Sequence, residues 1–183
     1  MLTEKEATIQ FSICVPSKYF KIHRQCRGRA IFVKKLKRLF AEWDNRNTPK
    51  GGIIDYILEP TELLLNMGWK IGSVGVEIKS SYMIEKYPGR AIVQILDYQA
   101  CKYSLPDCET ELSMIFLYPY RKAMSFLGSI MQQEGLGFVR YEPAYDWPFQ
   151  LLQANSNEPV FSHRFDDQVE IRIPRYGKKF GHR

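Results

Sequence analysis

Val76-Glu77-Ile78-Lys79 sets an acid and a base two residues apart inside an apolar run. On a strand successive side chains point to opposite faces, so Glu77 and Lys79 project from one face and Val76 and Ile78 from the other. Burying Val76 and Ile78 therefore brings a carboxylate and an ammonium side by side. Upstream, Gly52-Ile53-Ile54-Asp55-Tyr56-Ile57-Leu58 is a second strand-like run with one acid among hydrophobics. Two carboxylates on neighbouring strands, with a lysine beside them, form a donor set for a divalent cation and for phosphodiester hydrolysis. The competing reading of Glu77 and Lys79 is an ion pair on a half-exposed strand, which contributes little to stability.

Working outward, residues 1–27 read as an irregular or partly strand-like lead-in containing Ile9-Gln10-Phe11-Ser12-Ile13. Gly28 to Trp43 is expected to be helical, because Phe32, Leu36, Leu39, Phe40 and Trp43 recur at spacings of three and four. Asn45 to Gly52 is a loop by its Asn, Thr, Pro and Gly content, and Pro60 breaks the Asp55 strand. Thr61 to Asn66 is either a short helix or an excursion. A strand over Gly72–Ser80 is followed by Tyr87-Pro88-Gly89, which turns the chain into a helix from about Arg90 to Tyr103, ended by Leu105-Pro106. Leu112 to Tyr118 has strand length, Tyr120 to Gln133 reads as a helix, and Phe138–Tyr141 and Val169–Ile173 are short strands. The order predicts an α/β chain with a central mixed β-sheet flanked by helices. Residues 1–183 are expected to form a single domain, with a core over 28–118, a loose stretch from Glu142 to Pro159, and a β-containing extension over 138–183.

On the helix after the Glu77 strand, Gln94 and Tyr98 stand at i and i+4 and meet on one face. Their polar tips suit a phosphate, a nucleobase or the lysine. Asp55, then Glu77-Ile78-Lys79, then Gln94-x-x-x-Tyr98 resembles the PD-(D/E)XK nuclease superfamily, and the QxxxY helix is similar to its RecB-like branch. The resemblance implies a restriction-endonuclease-like core and metal-dependent hydrolysis of DNA. It implies that Asp55 and Glu77, with the backbone carbonyl of Ile78, would ligate Mg²⁺ or Mn²⁺. Lys79 would orient or activate the attacking water, and Gln94 and Tyr98 would complete the catalytic set. The family pattern also has an acid or a histidine near the first helix. Glu42 and His23 are the candidates here, with Glu42 ahead.

The net charge of +6 is modest for 183 residues, so its distribution says more. Lys18, Lys21, Arg24, Arg27 and Arg29 lead into Lys34, Lys35, Lys37 and Arg38, and Arg175, Lys178, Lys179 and Arg183 crowd the other end. Such clusters neutralise backbone phosphates, and Lys34, Lys35, Lys37 and Arg38 are the candidate nucleic-acid contacts. Cys14, Cys26, Cys101 and Cys108 have no CxxC spacing, and Met1–Thr8 is polar and charged. Reduced thiols in an intracellular, cytoplasmic setting are expected, without a membrane span. A GxxxxGK[ST] motif is missing from the sequence, which suits a stand-alone nuclease, as a phage, virus or mobile element would encode for replication, recombination or repair. The alternatives are a non-catalytic nucleic-acid-binding or assembly module keeping the nuclease fold, and an RNA endonuclease.

Overall fold

A computed structural model describes residues 3–31, 51–118, 131, 135–141, 148–154, 159–163 and 168–173. The chain begins with helix α1 (Glu4–Cys14), then strands β1 (Phe20–Ala30) and β2 (Ile53–Pro60). A short helix α2 (Glu62–Asn66) leads to β3 (Val74–Ile78), helices α3 (Ser81–Lys86) and α4 (Pro88–Gln99), then β4 (Cys101–Ser104) and β5 (Glu109–Glu111). Strands β6 (Met114–Tyr118), β7 (Leu136–Tyr141), β8 (Phe149–Gln153), β9 (Pro159–His163) and β10 (Val169–Ile171) follow. Among the described residues they form one sheet, in the order β10-β9-β8-β7-β6-β3-β2-β1-β4-β5. The β3–β6 and β6–β7 pairs are parallel and the other pairs antiparallel, so the sheet is mixed and the protein is α/β, as the element order predicts.

Each face of the sheet carries its own core. On one face α1 lays Ala7 and Phe11 against Tyr56, Leu58, Val76, Ile78, Phe116 and Tyr118. On the other, α4 lays Ile95 and Tyr98 against Ile54, Ile57, Ile115 and Leu117. A central strand covered on both sides reads as a continuous apolar run, and all of β3 is buried.

Residues 4–14 correct the strand-like reading of the lead-in. Ile9, Phe11 and Ile13 alternate, yet Phe11 is fully buried while Ile9 and Ile13 are 50% and 74% exposed. Ala7, Phe11 and Val15 face the core at a four-residue spacing while Ile9 and Ile13 between them do not; a strand would turn all five to one face, so the pattern is helical. Its start is specified locally by a capping box: the Thr3 hydroxyl accepts the Glu6 amide at 3.2 Å, and the Glu6 carboxylate accepts the Thr3 amide at 2.8 Å. Phe11 then meets the rings of Tyr56 and Phe149 at 5.1 and 5.3 Å between centroids.

Other boundaries move as well. Gly28–Ala30 close β1 rather than opening a helix, and they pair with Tyr103, Lys102 and Cys101 of β4. The remainder of the helix expected up to Trp43 lies outside the described residues, as does the helix expected over Tyr120–Gln133 apart from helical Met131. Helix α4 stops at Gln99, and Cys101–Ser104 form a strand between β1 and β5 where helix was expected to continue to Tyr103. The stretch read as loose between Glu142 and Pro159 contains β8, buried throughout. Thr61–Asn66 resolves as a helix, with Thr61 capping Leu64.

Replacing Phe11 by Ala should lower the unfolding free energy by about 3–5 kcal/mol, whereas Ile13→Ala should change it by less than about 0.5 kcal/mol. Urea unfolding of both variants checks this, and equal losses would contradict the helical register of α1.

Candidate active site

β2 and β3 run antiparallel, with Tyr56 opposite Val76, so continuing the register by one residue sets Asp55 across from Glu77. At that step the regular ladder gives way to side-chain bonding. The Ile78 amide donates to Asp55 Oδ2 at 2.8 Å, and Gln25 Nε2 donates to Oδ1 at 3.0 Å. The period-two alternation of β2 also slips here, because Ile54 and Ile57 join the α4 core while Tyr56 and Leu58 join the α1 core. Across on β1, Gln25 sits at φ 49°, a left-handed conformation that residues other than glycine seldom adopt.

Glu77 lies on the α4 face and is 2% exposed, which removes the reading of a half-exposed surface ion pair. Its Oε1 accepts hydrogen bonds from Lys79 Nζ and, at 3.1 Å, from Gln94 Nε2. Gln94 Nε2 also donates to the Tyr98 hydroxyl, so the i, i+4 pair on α4 meets as the spacing predicts. The Tyr98 ring is held in turn by Gly52, where a Cβ would stand 2.2 Å from the ring. The second carboxylate oxygen, Glu77 Oε2, is buried and has no hydrogen-bond partner among the described residues.

Burial, and next the negative charge of Asp55, push the Glu77 carboxyl up from its usual 4.5 to about 7, although Lys79 opposes the shift. Lys79 itself is partly buried; desolvation lowers its pKa, but the hydrogen bond and charge of Glu77 outweigh this, and it stays protonated. The Tyr98 hydroxyl is raised, first by burial and then by the Glu77 charge.

Asp55, Glu77, Lys79, Gln94 and Tyr98 are thus brought into one constellation. Ile78 enters it through its amide, bonded to Asp55. His23 does not join: it lies within β1, opposite Ile57, and its Nε2 pairs with Glu59 Oε2 at 2.8 Å. Glu42, Lys34, Lys35, Lys37 and Arg38 lie outside the described residues, as does the basic run from Arg175. Two cations of the earlier cluster are engaged elsewhere, Lys21 with Glu59 at 3.3 Å and Arg29 with Glu109 at 3.8 Å.

Two contributors escaped the sequence reading. Gln25 carries no periodic signal, being recognisable only through its bond to Asp55. Glu4 stands in the first turn of α1 and, with Lys79, Met83, Tyr87, Arg90, Ala91 and Gln94, lines a cleft of about 220 Å³ beside the constellation. The Thr3–Glu6 capping box was the available cue that Glu4 opens a helix.

A buried carboxylate oxygen without a partner among the described residues and a second carboxylate across the strands suit a hard cation that keeps several of its own waters. Among the described residues no three His, Cys, Asp or Glu side chains gather as a ready-made metal cage. Mg²⁺, commonly held through one or two carboxylates plus waters and phosphates, fits this donor set better than an ion needing a full protein shell.

Comparison with family models, curated proteins and solved structures returns no match for this chain. Between pH 4.5 and about 7 the folded protein keeps a proton on Glu77 that the unfolded chain has lost. Stability in EDTA should therefore fall as pH rises through that window, by up to about 3 kcal/mol. Glu77→Gln should flatten the dependence. Urea midpoints measured against pH check this, and an unchanged slope in the variant would remove Glu77 as its source.

Proposed function

We propose that the protein is a metal-dependent nuclease of the PD-(D/E)XK type that hydrolyses phosphodiester bonds of DNA. On this reading β2, β3, α4 and β6 form a restriction-endonuclease-like core. One observation carries it: a buried Glu77 with an oxygen unpartnered among the described residues lies across from Asp55, and the Lys79 and Gln94 that bond it line a cleft. Carboxylates that only solvate a fold are seldom placed this way, because burying an unbalanced charge is expensive.

Asp55 and Glu77, with the Ile78 carbonyl, would hold Mg²⁺ or Mn²⁺. When bound, such an ion supplies Lewis acidity at the phosphoryl oxygen and a lowered pKa for the attacking water. Lys79 places a positive charge at the cleft wall, where it orients the water and stabilises charge developing on the phosphoryl oxygens. Gln94 fixes the Glu77 carboxylate, and Tyr98 fixes Gln94. Glu42 lies outside the described residues; among them Glu4, rather than His23, would serve as the acid of the first helix. It acts through water or through Lys79 rather than as a third carboxylate on the ion.

The non-catalytic module retains support from one feature: Glu77 is already closed onto Lys79 and Gln94. An RNA endonuclease would keep the same metal chemistry on another substrate.

Cleavage of single- and double-stranded DNA and of RNA, in Mg²⁺, Mn²⁺ or EDTA, separates these readings. Native protein should cut DNA only with metal, and Asp55→Ala and Glu77→Ala should bring cleavage to background. Lys79→Met should spare metal binding and slow cleavage by about a hundredfold or more. Glu4→Gln should slow it by about tenfold to a hundredfold. Metal-independent cutting, or full activity in Glu77→Ala, would overturn the nuclease assignment.

A further inference from the structure

Beyond the cleft, the α3–α4 elbow gathers aromatic rings and cations at the surface. Tyr82 and Tyr87 are 50% and 46% exposed, the kind of area that large aromatics normally bury. The Lys86 ammonium lies between them, 5.1 Å from the Tyr82 ring centroid and 5.5 Å from that of Tyr87. It also donates to the Tyr82 hydroxyl at 2.6 Å. One cation thus ties two exposed rings together and holds them ready without a cover. Arg90 follows Tyr87 on the cleft wall, and Gln94 stands one helical turn further along α4. Neither Lys86 nor Arg90 has an acidic hydrogen-bond or ion-pair partner among the described residues, and Glu4 is the acid lining the same cleft.

We propose that Tyr82, Lys86, Tyr87 and Arg90 form a stacking platform for single-stranded nucleic acid that leads a strand to Lys79. The substrate inference rests on the nuclease reading of the neighbouring cleft. Exposed ring faces match unpaired bases, since a duplex keeps its base faces stacked inside and offers only groove edges and phosphates. Lys86 and Arg90 supply the positive charge that the phosphates between those bases require. Tyr82 and Lys86 stand outside the cleft, Tyr87 and Arg90 line it, and Lys79 and Gln94 line it where they bond Glu77.

Fluorescence anisotropy in EDTA, where metal-dependent cutting is stopped, tests the platform with labelled oligothymidylate, oligouridylate and a DNA hairpin duplex. Both single strands should bind more tightly than the duplex, and any preference between them reports the sugar. Tyr82→Ala and Tyr87→Ala should each weaken oligothymidylate binding about tenfold, while the Phe variants keep it because the ring face remains. Lys86→Ala should lower the salt slope by about one. These side chains are exposed, so urea midpoints should stay near native. Equal or tighter binding of the duplex, or native affinity in both alanine variants, would overturn the platform. Metal-dependent cleavage with those variants unaffected would leave the nuclease reading standing and the platform refuted. Weakened binding in a protein that cuts nothing would do the reverse.

Discussion

Burying the Glu77 carboxylate in the middle of a sheet covered on both faces is the constraint on which the site depends. β3 lies between β2 and β6, with the α1 core on one side and the α4 core on the other. Taking an ion out of water into such surroundings costs several kcal/mol unless partners offset it. Lys79 and Gln94 both bond one oxygen of the carboxylate. The other oxygen is left over, and a proton is retained to near neutral pH. A strand designed for stability alone would place an aliphatic residue at position 77, as it does at positions 76 and 78.

That constraint organises its surroundings in two directions. Toward β2, the ladder yields beside Glu77, so that the Ile78 amide bonds the Asp55 carboxylate. This keeps a second negative charge close enough to raise Glu77, while Gln25 in its left-handed conformation steadies the other Asp55 oxygen. Toward α4, Gln94 is positioned by Tyr98, whose ring fills the space left by the missing Cβ of Gly52. The Tyr98 carbonyl in turn accepts the buried Tyr103 hydroxyl at 3.0 Å. Strand β4 thereby fixes the far end of the residue that aims Gln94.

The central constellation was legible because its elements obey short, strict periods. A two-residue spacing on a strand put Glu77 and Lys79 on one face, and a four-residue spacing on a helix joined Gln94 to Tyr98. Both relations depend on local geometry alone. What stayed hidden depends on contacts distant in sequence. Ile9, Phe11 and Ile13 alternate like a strand, and only packing against Tyr56, Tyr118 and Phe149 shows that Phe11 alone of the three faces inward. The eleven residues of β1 show no clean alternation, because Arg, Gln and Lys interrupt it, and its strand character comes from pairing with β2 and β4. His23 looked like a ligand by type but had a nearer claim in Glu59, across the β1–β2 ladder.

The same hydrophobic surroundings that make Glu77 costly also govern how the site meets charge. In a poorly hydrated pocket, opposite charges attract more strongly than they do in water. A proton, Lys79 and the proposed divalent cation would therefore compete for one carboxylate. On the proposed nuclease reading, only the cation would also draw in Asp55 and a phosphate oxygen, so a substrate phosphate arriving with it would offset part of the cost of burying Glu77. The rings of Tyr82 and Tyr87 with Lys86 lie outside that pocket, where attraction for a polyanion is screened and depends on contact area as well as charge. The proposed sequence-tolerant capture at the rim and the localised charge at the end of β3 would thus be two consequences of one gradient in solvent exposure along the α3–α4 wall.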